Sequence, residues 1–173
     1  QEDYRSFFDN GDVKGTDGFL LRRARPILSG TLFRDFDYNF TPEFGGSSVQ
    51  IQDAYAIYRN RPELQLQVGK FKSPVGLEAL QSDAVGAFNE RSLATDLVPN
   101  RDIGIALKGD FNGGVAAYAV GVFNGAADFS TTANTPSQDN KAFVGRVFFQ
   151  PWKKTEVAAL RGFGFGVGGS YEL

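Results

Sequence analysis

The chain has 173 residues with no Cys, His or Met, and 18 Lys and Arg stand against 20 Asp and Glu. These absences exclude a disulfide framework, thiolate and HExxH metal sites, a Cys nucleophile and a His-based triad, and a net charge of −2 argues against a large basic nucleic-acid surface. The length predicts about one domain, and without Met the first residue is not an initiator, so the chain is expected to be processed or to be part of a longer one.

No apolar run approaches the roughly 20 residues of a membrane helix; the longest is Val115–Phe123, and the mean hydropathy is −0.25. That value fits a soluble protein. It equally fits a membrane β-barrel, in which alternating residues hide the membrane signal from any average.

Alternation of period two predicts strands at 2–9, 18–30, 33–43, 47–59, 63–72, 101–110, 114–124, 140–150 and 155–173. A helical stripe is conceivable only within Pro74–Ala94. The second strand carries the densest positive charge, Arg22, Arg23 and Arg25, with the last two sharing one parity. They fit either a pore-lining anion ladder or a solvated face, or pairing with Asp35 and Asp37 across the next hairpin. In the third strand Phe36, Tyr38 and Phe40 oppose Asp35, Asp37 and Asn39.

In the fourth, Asp53 shares a parity with Val49, Ile51 and Tyr55, which calls for a bulge that turns it inward or for an Arg on a neighbouring strand. The fifth alternates Leu64, Leu66 and Val68 with Gln65, Gln67 and Gly69, then ends on Lys70 and Lys72, which reach one space or simply meet solvent. The long connection 73–100 mixes Arg91 and four carboxylates with apolar residues, as a segment folded into a lumen or an external lid would.

Beyond it, Ile103, Ile105 and Leu107 oppose Asp102, Gly104, Ala106 and Lys108; Phe143, Val147 and Phe149 oppose Val144, Arg146, Phe148 and Gln150. Trp152 beside Phe148 and Phe149 reads as a piece of an aromatic girdle or as a soluble aromatic core. In Leu160–Tyr171 the bulky residues Phe163, Phe165, Val167 and Tyr171 alternate with glycines. Gly164-x-Gly166-x-x-Gly169 mimics a dinucleotide loop, but a strand is the better reading because no helix follows.

The joints alternate between long (10–17, 41–47, 73–100, 125–139) and tight (30–32, 60–63, 110–114, 151–154), which is the organisation of an outer-membrane barrel rather than of a sandwich. No GxSxG elbow or phosphate-binding loop occurs, so no catalytic residue, metal ligand or cofactor is assigned.

Taken together, DGFLLRRARPILSG (Asp17–Gly30), VQIQDAYAIY (Val49–Tyr58), VGKFKSPVGLEAL (Val68–Leu80), FNERSLATDLVPNRDIGIALKG (Phe88–Gly109) and AVGVFNG (Ala119–Gly125) resemble the phosphate-selective porins O and P. The resemblance implies an all-β, antiparallel transmembrane β-barrel of 16 strands, of which about nine lie in this chain, making it the N-terminal half of a longer protein. It also implies a homotrimer in the bacterial outer membrane, in contact with its lipid, that passes phosphate or other small anions and binds no nucleic acid. It implies that Arg22, Arg23 and Arg25 join an Arg ladder, that Asp53 and Lys72 lie near the central anion site with Lys70 close by, and that Ser73–Asn100 is an inward constriction loop. Arg91, Arg101, Lys108 and Arg146 complete the expected pore-lining set. The alternative is a soluble all-β ligand-binding barrel or sandwich.

Overall fold

The computed structural model describes residues 2–5, 18–21, 23–45, 48–80, 100–125 and 141–173. These hold β1 (Glu2–Arg5), β2 (Gly18–Leu21), β3 (Leu28–Leu32), β4 (Phe36–Glu43), β5 (Gln50–Arg61), β6 (Leu64–Lys72), α1 (Leu77–Leu80), β7 (Arg101–Phe111), β8 (Ala116–Phe123), β9 (Ala142–Phe149), α2 (Ala158–Arg161) and β10 (Phe165–Glu172). Strands β3 to β10 form one antiparallel sheet in which each strand pairs with the next in sequence; β1 and β2 pair with each other. With 12, 9 and 11 residues, β5, β6 and β7 match the roughly 9–11 residues that a tilted strand needs to cross a bilayer.

The alternation read from the sequence becomes two unlike faces. One carries Leu64, Leu66, Val68, Ile105, Leu107, Val120, Val122, Phe143, Val147 and Phe149, all between 38% and 55% exposed. A soluble monomer rarely leaves so continuous an apolar band in water, whereas a barrel wall must present one to lipid. The opposite face is concave and polar, and it encloses a cavity of about 1020 Å³.

Four departures from the expected elements have local causes. The strand expected at 18–30 is split into β2 and β3. Extending the β3–β4 register from Leu28↔Phe40 sets Pro26 opposite Pro42, and neither can donate to the ladder. The register resumes beyond them, with Phe44 N–H donating to the Ala24 carbonyl at 2.9 Å. The tight turn expected at 30–32 lies instead at 33–35, where Phe33 and Arg34 take positive φ. The strand expected at 155–173 begins only at Phe165, because α2 and Gly162 occupy the connection. The fourth departure is on the inner face, which is not polar throughout. Phe71, Ala106, Phe123, Ala142 and Val144 form a buried cluster there, with Tyr55 and Val75 packed against it. Val75 follows the end of β6, so the start of the long connection supplies part of the cover that keeps these rings dry.

Candidate functional site

The cavity is built from the inward parity of successive strands. Arg23 and Arg25 precede β3, Asp53 and Tyr55 come from β5, Gln65 and Gln67 from β6, Lys108 and Asp110 from β7, and Arg146 and Phe148 from β9. Lys72 and Arg101 stand at the neighbouring ends of β6 and β7, directly opposite each other. Pro74 and Leu80 line the same space from the connection after β6. Six cations thus face the cavity against Asp53 and Asp110, although the chain as a whole is acidic.

Asp53 is aimed by a bulge. Thr41 pairs with Asp53 but Pro42 pairs with Ile51, so Gln52 is the extra residue on β5. The bulge separates Asp53 from the outward parity of Val49 and Ile51, and it also meets an Arg. Arg101 donates from Nε to Asp53 Oδ1 at 3.0 Å and from Nη2 to Oδ2 at 3.2 Å. This is the two-pronged geometry for which the planar guanidinium is suited. The side chains are only 11% and 17% exposed.

Next to this pair, Asp102 is 2% exposed and accepts the Ile103 N–H at 2.6 Å and the Gly125 N–H at 2.8 Å. It thereby fastens the start of the connection leaving β8 to the start of β7. Lys70 does not line the cavity. It is 4% exposed and its Nζ donates to the Ile51 carbonyl at 2.8 Å.

Arg25 is held by Glu43, whose carboxylate accepts from Arg25 Nε and from the backbone N–H groups of Ala24 at 2.7 Å and Gly45 at 2.9 Å. Extended past Leu28, the β3–β4 register sets Arg25 opposite Glu43, and the Phe44 N–H to Ala24 carbonyl bond keeps it. Asp37 serves elsewhere, accepting from Thr31 at 2.6 Å and Arg59 at 3.4 Å.

On the other side of the cavity, Lys108 pairs in register with Ala119, and Ala119 with Arg146. The two cations therefore flank a methyl group across about 10 Å of sheet. No ion pair to either occurs among the described residues. Arg146 instead lies over the Phe148 ring, 5.1 Å from its centroid. That ring rests on Gly164 and Gly166 of the following segment, where a Cβ would come within 2.9 and 2.6 Å of it. The glycine face of Leu160–Tyr171 is therefore the bed for an inward Phe. Trp152 accordingly packs with Phe163 and Phe165, at 5.8 and 6.1 Å, and not with Phe148.

Of the ten residues expected at the site, Arg23, Arg25, Asp53, Lys72, Arg101, Lys108 and Arg146 face one cavity, Lys70 lies behind it, and Arg22 and Arg91 fall outside the described residues. Glu43, Asp102 and Phe148 were not singled out as site residues by the sequence. Glu43 was within reach, because a hairpin register anchored on the turn at 33–35 sets it opposite Arg25.

Residues 1–164 match the family model described as phosphate-selective porin O and P. No curated protein matches the chain.

Proposed function

The chain belongs to the phosphate-selective porin O and P family, and from that premise we propose that it forms part of the wall of an outer-membrane channel that passes small anions, phosphate or polyphosphate, by diffusion. The family is one of channels, not of enzymes. The observation that carries the reading is the sorting of charge: Arg23, Arg25, Lys72, Arg101, Lys108 and Arg146 share one concavity with two carboxylates, in a chain of net charge −2. Local rings of charge, not totals, set selectivity in a pore.

The mechanism is electrostatic. An anion exchanges part of its hydration for guanidinium and ammonium donors. Spreading those donors along the wall makes several weak sites in series, so that the anion leaves as readily as it enters. Partial neutralisation of Arg25 by Glu43 and of Arg101 by Asp53 keeps the sites weak. The connection after Lys72 narrows the passage; Pro74 and Leu80 at the cavity and Val75 on the inner aromatic cluster support this. The channel works as a homotrimer embedded in outer-membrane lipid, consistent with the apolar outward band.

Planar-bilayer recording of the full-length protein tests the reading. Chloride current that is anion-selective and blocked by added phosphate is expected. Replacing Lys108 and Arg146 together by Gln should lower anion selectivity several-fold. Cation selectivity in the unaltered protein overturns the proposal.

A further inference from the structure

Lys70 is an ammonium group placed where an anion cannot reach it, and its position asks for an explanation. The β5–β6 ladder runs from Arg61↔Leu64 to Ala54↔Lys70 and goes no further, while β5 itself continues back to Gln50. Phe71 and Lys72 pair on their other side with Asp102 and Arg101 of β7. Across the last stretch of β5, then, the rungs to β6 have ended, and the strand end 50–53 is held on that side by other means. Ile51 lies immediately before the bulged Gln52 and past the last rung. A carbonyl in such a place still demands a donor. Lys70 Nζ provides it at 2.8 Å, reaching from the final rung of the ladder.

Asp53 follows two residues later. It must span from β5 over β6 to grip Arg101 on β7 with both oxygens. Two-pronged geometry tolerates little splaying of the strand that carries the carboxylate. Asp53 and Asp102 lie within electrostatic reach of Lys70 and offset part of the burial and of the repulsion from Arg101 that its ammonium meets, while Lys72 and Arg101 are the cavity-facing cations of this corner.

We propose that Lys70 is a positioning residue: by clamping the Ile51 carbonyl beyond the end of the β5–β6 ladder, it fixes the bulge that presents Asp53 to Arg101, and so sets the affinity of this corner of the cavity for an oxyanion. The assignment rests on the anion-channel reading above. It differs from a direct ligand role in what it leaves untouched, since Lys70 itself contacts no passing ion.

The test uses the full-length protein in planar bilayers, with inorganic phosphate as the blocker of chloride current. Lys70→Met keeps the length and loses the donor; it should weaken phosphate block about tenfold, equivalent to about 1.4 kcal/mol, while the chloride-over-potassium preference stays near that of the unaltered protein. Lys70→Arg, which keeps a donor, should recover most of the affinity. In an Arg101→Gln background Lys70→Met should add little, because both changes dismantle one geometry.

If Lys70→Met does not assemble, Lys70→Gln carries the same expectation at smaller size. Unchanged block in the assembled Met or Gln variant overturns the assignment, and so does a fall in chloride preference equal to the fall in phosphate affinity, the mark of a direct pore charge. Penalties that simply multiply in the double variant overturn it too. Absence of phosphate block in the unaltered protein overturns the phosphate part of the channel reading and this assignment together, whereas block that ignores Lys70 overturns only the latter.

Discussion

The two ends of the sheet use charge differently. At the end that bears the connections 44–49, 73–100 and 124–141, the ionic groups are enclosed and multiply bonded: Asp53 with Arg101, Asp102 with two backbone N–H groups, Glu43 with Arg25 and two more. At the opposite end, the turns carry Arg59 on Asp37 at 3.4 Å with the Arg side chain 45% exposed, and Lys153 on the Gly114 carbonyl at 3.4 Å. The first set is desolvated, so each partner depends on the other and on fixed geometry. The second is bathed in water and contributes little beyond solubility and loose turn-to-turn contact. Position along the strand thus separates enclosed, multiply bonded ion pairs from solvated ones.

The contrast can be broken in graded steps. The largest effect is expected from Arg101→Gln, which strands Asp53 in a poorly solvated corner. Loss of one partner of a buried pair costs about 3–5 kcal/mol, read as a lower urea midpoint for the micelle-refolded protein. Asp53→Asn combined with it should cost less than the sum of the two.

Gly69→Ala comes next. Gly69 sits inside β6 at φ +125°, and a methyl there points at the Ala54 carbonyl of the neighbouring strand. A side chain in that backbone region costs about 1–3 kcal/mol, and the same urea titration, with assembled yield, measures it. The smallest change is expected from Asp37→Asn at the exposed end, under about 1 kcal/mol, with phosphate block unaltered. A cost for Asp37→Asn matching that of Arg101→Gln would erase the distinction between the ends.

Much of this was written in the alternation. Leu64, Leu66 and Val68 against Gln65 and Gln67 is a lipid face against a watery one, and period two survives any detail of packing. The breaks in period were harder. Val49 and Ile51 share a parity with Asp53, and only the pairing of Pro42 with Ile51 and of Thr41 with Asp53 reveals the extra residue between them. Long-range register also decided the partner of Arg25. Asp35 and Asp37 were nearer in sequence, but the turn at 33–35 puts Asp37 opposite Thr31 and Glu43 opposite Arg25. Lys70 was the least legible, because its role depends on where a ladder stops rather than on its own neighbours in the chain.

The glycines at the last strand set how far Phe148 stands into the cavity. Phe148 stands into the cavity on a bed made of backbone alone, at Gly164 and Gly166. One methyl group added at Gly166 would fall 2.6 Å from the ring and lift it inward. The width of the cavity at that level is therefore set partly by atoms that are missing from the neighbouring strand. A homologue or an engineer could narrow it stepwise by refilling that strand, without adding or removing a single charge.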